Sequence, residues 1–215
     1  MVYSMNKKIL TALIINIFVV LATAGISISY YFYSNNPLVE SGFDSYKFFT
    51  TDSNILAAIS SLVIIPYEIQ ILRNKREKLP RFAVVFKYIG MVSVMLTFFT
   101  VMVVLLPKYK AEFLLLGTSF YMHLLGPIAA LVTVLFLETD SKIKFGETFL
   151  ALIPVVIYGA VYLTEVLIIG EENGGWSDFY TFNSGGHWYI SLPVMILFTL
   201  IIAVVTRLVH NKLTK

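Results

Sequence analysis

Cysteine is missing from this sequence. Its absence excludes disulfides, thiolate metal sites and cysteine nucleophiles together. Charge is scarce as well: Asp, Glu, Lys and Arg make up 13% of the 215 residues, about half the share of a soluble domain. The basic residues flank apolar runs and form no aromatic-interleaved stripe, so nucleic acid is excluded as a partner. No repeat period, low-complexity tract or soluble domain breaks the chain. The alternating segments of an outer-membrane barrel are missing too. His123, Glu165, Asp52 and His187 would have to converge to hold a metal, and no HExxH-type spacing is present. Neither a metal nor a cofactor is expected.

What remains is apolar. Hydrophobic residues make up 58% of the chain and the mean hydropathy is +0.80. A run of about 20 apolar residues is long enough to cross a bilayer as a helix. Six such helices are predicted, at about 8–33, 48–72, 82–106, 112–137, 146–169 and 187–209. The first opens with Lys7 and Lys8 and contains Ala22-Thr23-Ala24, features shared with a signal peptide. Its apolar stretch continues to Phe32, longer than a signal core, so it reads as an uncleaved first span. The fold class is all-α: a polytopic six-helix transmembrane bundle, one integral membrane domain over 1–215.

Charge placement gives the orientation, because short cytoplasmic loops collect Lys and Arg. One end gathers Lys7, Lys8, Arg73, Lys75, Arg76, Lys78, Arg81, Lys142, Lys144, Arg207, Lys212 and Lys215. The other has Lys47, Lys108 and Lys110 beside Glu40, Asp44, Glu112, Glu171, Glu172 and Asp178. Both termini are therefore expected in the cytoplasm. Trp176 and Trp188 suit an aromatic belt at the outer interface.

Ionisable groups inside a bilayer are costly and face a bundle interior or a wet cavity. His123, Glu165 and Glu68 stand out on the fourth, fifth and second helices, while Asp52 lies near the outer end. Helical spacing puts Thr50, Ser53, Asn54, Ala57, Ser61 and Glu68 on one side of the second helix. Ser119, His123, Gly126, Pro127 and Ala130 form a similar stripe on the fourth, and Tyr158, Tyr162 and Glu165 on the fifth. Such stripes also let membrane helices pack closely, and that reading stands beside the functional one. Glu68, one turn from "RNKR", reads as a cytoplasmic ion-pair partner; Glu165 reads equally as an interfacial carboxylate. His187 and His210 read as surface residues. Pro127 has no N–H for the carbonyl of His123, so a kink is expected there.

"YKFFTTDSN" in the second helix, "YMHLLGP" in the fourth and "GGWSDFYTF" before the last resemble the androgen-induced membrane hydrolase family and its bacterial relatives. The resemblance covers nearly the whole chain as a six-span layout. It implies an intramembrane threonine hydrolase of fatty acid esters of hydroxy fatty acids, with Thr50 as nucleophile and His123 as its base. It also implies a bacterial cell membrane as the setting and a lipid drawn from the bilayer as substrate. The sequence departs from the animal pattern at Asp52-Ser53-Asn54.

The implied chemistry is sound. A threonine hydroxyl needs a neighbouring base to take its proton, and a neutral imidazole can do so. Asp52, Tyr158 or Glu165 could orient the ring, and Ser53 or Asn54 could donate to the developing oxyanion. Ser119, Tyr162 and Trp176 complete the candidate lining. At about 1.5 Å per residue, Thr50 stands roughly 34 Å above Arg73 and His123 roughly 28 Å above Lys142, placing Asn54 nearer the imidazole. Two other readings compete. In a small-solute transporter or substrate-binding subunit, Thr50, Asn54, His123 and Glu165 would grip the solute. In a membrane adaptor the polar stripes are purely structural.

Overall fold

Inside lipid every backbone N–H needs an acceptor in its own segment, and so each long apolar run folds as a helix. The computed structural model describes residues 2–33 and 41–214, and contains no strand among them. Glu40 and Lys215, counted above for charge, lie outside the described residues. Six helices are long and apolar enough to cross a membrane. They are α1 (Val2–Phe32), α2 (Phe49–Leu72), α3 (Arg81–Leu105), α5 (Gly117–Leu137), α6 (Phe145–Ile169) and α7 (Trp188–Leu213). A short helix, α4 (Ala111–Leu115), precedes α5. An even number of crossings puts both termini at one end of the bundle, called here the terminal end; the other is the distal end.

The fourth span is not the continuous helix 112–137 predicted from hydropathy. Leu116 is extended and Gly117 takes φ +58°, so α4 folds back before α5 begins. Only a residue without Cβ enters that left-handed region freely. The expected kink at Pro127 is instead a π-turn over Tyr121–Leu125, in which the N–H of Gly126 bonds the carbonyl of Tyr121. Such turns recur at functional sites. A further break, at Ala151–Leu152 in α6, precedes Pro154, which cannot bond the carbonyl of Leu150.

Lipid tails are as apolar as leucine, so these helices associate through close packing and interhelical hydrogen bonds. Helix α1 packs on α2, α2 on α3, and α3 on α5 and α7. The core is therefore centred on α3, where Tyr88, Met91, Val92 and Leu96 meet Ala57, Ala130 and Ala203. Leu21, Ile168, Leu197 and Val205 turn outward instead, as a lipid-facing surface requires. Gly90 sets the α2–α3 spacing. A Cβ there would lie 2.6 Å from Ser60 Oγ and 3.1 Å from the Ala57 backbone.

Replacing Gly90 by alanine is therefore expected to push α2 and α3 apart and cost about 1–3 kcal/mol. Thermal unfolding of the detergent-solubilised protein measures this, and an unchanged midpoint would refute the tight contact.

Candidate functional site

The fold-back at Gly117 has a direct chemical result. Residues 114 and 123 would be roughly 13 Å apart along one continuous helix. Instead, His123 Nδ1 lies 2.7 Å from the carbonyl oxygen of Leu114. A carbonyl can only accept, so Nδ1 carries the proton and Nε2 keeps its lone pair. The ring is oriented by backbone. None of Asp52, Tyr158 or Glu165, the three side chains considered from sequence, holds that nitrogen.

His123 shares a cavity of about 140 Å³ with Thr50, Tyr30, Tyr109, Ser119 and Tyr180 at the distal end of the bundle. Thr50, Leu105 and Tyr180 also line a second cavity of about 110 Å³. Its other walls are mostly apolar, with Phe49, Leu96, Val101, Val155, Leu192 and Met195, and include Thr97, Thr100, Tyr158 and Tyr162. The chamber thus has two compartments. One, called polar here, bears the His123 imidazole and several hydroxyls among the rings of Phe48, Phe113 and Phe179. The other, between α3, α6 and α7, is more apolar; Thr50, Leu105 and Tyr180 border both.

Tyr180 is held at that junction by a chain of bonds that starts at Asp178. The Asp178 carboxylate accepts from the Tyr162 hydroxyl and from the backbone N–H groups of Phe182 and Asn183, each at 2.9 Å. Tyr162 in turn accepts the N–H of Tyr180 at 2.9 Å. The Tyr180 hydroxyl accepts the N–H of Phe49 at 3.1 Å, satisfying an orphan donor at the start of α2. Tyr180 lines both cavities together with Thr50. Burial pushes its phenol up to about 12, so the group keeps its proton at neutral pH. Thr181, next in the chain, sits at φ +57°, a strained conformation for a β-branched residue.

Asn54 does not face the chamber as an oxyanion donor. Its Nδ2 gives one bond to Thr50 O at 2.8 Å and another to Met122 O at 3.0 Å, using both hydrogens. The second bond has a clear cause. In the π register the N–H of residue 127 would serve Met122, and Pro127 has none. Asn54 supplies the missing donor and locks α2 to α5 at the level of the imidazole.

The remaining candidates separate. Ser119 lines the polar compartment. Tyr162 and Tyr158 line the apolar one, with Tyr158 donating to Lys47 O at 2.7 Å. Ser53 is buried and paired with Thr97 Oγ1 at 2.8 Å, away from His123. Asp52 and Trp176 line a lateral groove of about 590 Å³ between α2, α3 and α6. Glu165 lines none of these three cavities.

Two expectations for the terminal end are corrected. Glu68 is no surface ion-pair partner: it is fully buried and accepts from Asn16 Nδ2 at 3.1 Å on both oxygens. His210 is fully buried as well, with its ring nitrogens 2.8 Å from Val134 O and 2.9 Å from Ser141 O. Both lie near basic sequence, which disguised them as solvated. Sequence reasoning also passed over Lys87, the one basic residue placed at neither end, and Tyr180, hidden in an aromatic-rich loop.

No family model, curated protein or solved structure matches the chain.

Asn54→Leu keeps the branching of the side chain but leaves the carbonyls of Met122 and Thr50 without this donor. A loss of about 1–3 kcal/mol is expected for the unmet polar groups, read from unfolding in detergent. Stability equal to the parent would show that the α2–α5 bond contributes nothing.

Proposed function

We propose that the protein is an intramembrane hydrolase of lipid esters, with Thr50 as nucleophile and His123 as general base. One observation carries this reading: Thr50 and His123 border the same cavity, and His123 is held by Leu114 with Nε2 left to accept a proton. The apolar compartment adjoining Thr50 suits an acyl chain, and the resemblance noted in the sequence points to the same chemistry.

In the proposed cycle Thr50 Oγ1 attacks the ester carbonyl and its proton passes to His123 Nε2. The Tyr180 hydroxyl, protonated and beside Thr50, stabilises the oxyanion. Collapse expels the alcohol, which takes the proton from His123. Water, deprotonated by the same nitrogen, then attacks the acyl group, which leaves as a carboxylic acid while the proton passes from His123 to Thr50 Oγ1. Substrate enters sideways from the bilayer. The positive-inside pattern supports a chamber in the outer half of a cell membrane, with both termini cytoplasmic.

A fluorophosphonate probe tests the assignment. Labelling is expected at Thr50 in the parent, absent in Thr50→Ala, and slowed roughly 100-fold or more in His123→Ala, the usual scale for loss of a general base. Undiminished labelling of a folded Thr50→Ala protein would reject the nucleophile.

A further inference from the structure

Away from the distal chamber, the bundle buries a second polar group that the proposed hydrolysis does not use. Glu68 on α2, Lys87 on α3, Glu138 just after α5 and Asn16 on α1 are each 0 or 1% exposed. A single amide nitrogen, Asn16 Nδ2, donates to both oxygens of Glu68 at 3.1 Å and to Glu138 Oε1 at 2.7 Å. The two carboxyl groups therefore lie within one nitrogen's reach of each other. Lys87 Nζ donates to Ser61 Oγ at 2.5 Å and is a charge neighbour of both glutamates.

The charges in this cluster do not balance. Two carboxylates face one ammonium. The groups that approach from neighbouring elements are Asp140, in the loop after α5, and His210 on α7. They add one acid and at most one cation, so among these described groups the count stays at least one positive charge short. An uncompensated charge in a dry interior is far more costly than retaining a proton. Two acceptors in the cluster, Glu138 Oε2 and Asn16 Oδ1, are buried and have no hydrogen-bond partner. Buried acceptors of this kind call for a missing hydrogen or ion.

We propose that Glu68 and Glu138 form an intramembrane proton-binding site that holds one proton between them. A proton on Glu138 Oε2 turns an empty acceptor into a donor and leaves one carboxylate to balance Lys87. Like charges this close do not both ionise readily, and the pair titrates as a unit. Loss of the proton sets two negative charges against one amide of α1, so α1 is the helix whose packing responds. The site is independent of Thr50 and His123.

Infrared spectroscopy of the full-length protein in lipid nanodiscs tests this at neutral pH. An Asp52→Asn background removes another carboxyl that lies within the spans. The carbonyl stretch of one buried protonated carboxyl per chain is expected in that background. It should disappear on adding Glu68→Gln, and equally on adding Glu138→Gln, because either change leaves one carboxylate to one ammonium. Absence of the band in the Asp52→Asn protein overturns the proposal even if the glutamine variants fail to fold. Survival of the band in either folded glutamine variant assigns the proton to a single carboxyl or to another residue, and overturns the shared site.

Discussion

Among helices surrounded by lipid, a polar side chain has only other protein groups, or a wet cavity, with which to bond. That constraint runs through the whole bundle. Asn54 is committed to a carbonyl that Pro127 leaves unserved. Tyr88 on the central helix gives its hydroxyl to the carbonyl of Ala203 at 2.6 Å. Thr23 pairs with Tyr121 across α1 and α5 at 2.8 Å. Each bond ties one helix to another, so satisfying polar groups and fixing helix positions are the same act.

The distal chamber is the place where this rule is relaxed. Backbone irregularities gather around it: the positive φ of Gly117, the π-turn at Tyr121–Leu125 and the strained Thr181. They bring the Leu114 carbonyl to Nδ1 of His123 and Tyr180 against the start of α2. In a regular helix from 112 to 137 the Leu114 carbonyl would lie roughly 13 Å along the axis from His123, out of reach of its ring. Strain at such a site is sustained by the structure around it, here the Asp178 bond network and the aromatic cluster of Tyr158, Tyr162, Trp176 and Phe179.

The two polar regions differ in kind. At the distal end, hydroxyls and one imidazole border space that another molecule can enter. Toward the terminal end, two carboxyl groups, one ammonium and one amide are buried together in the packed interior. The first arrangement suits chemistry on a neutral lipid, the second the retention of a proton. Both rest on α2, whose Thr50 and Glu68 lie five turns apart on one stripe. Glu68 shows how proximity in sequence misleads: the cluster "RNKR" begins five residues later, yet its carboxylate turns inward to Asn16.

Hydropathy alone determined the number of crossings and most of their limits, because only a helix satisfies the backbone within lipid and about twenty residues span it. Helical periodicity also placed Thr50, Asn54 and Glu68 on one face, and residue type marked His123. What it could not give was the partner of each group. That Leu114 rather than a carboxylate holds His123 depends on a reversal at one glycine. That Asn54 serves Met122 depends on a local change from α to π register. That Glu68 and Glu138 meet at Asn16 depends on α1, α2 and the end of α5 converging. These are contacts between residues far apart in sequence or separated by a break in the helix, and local periodicity carries no information about them.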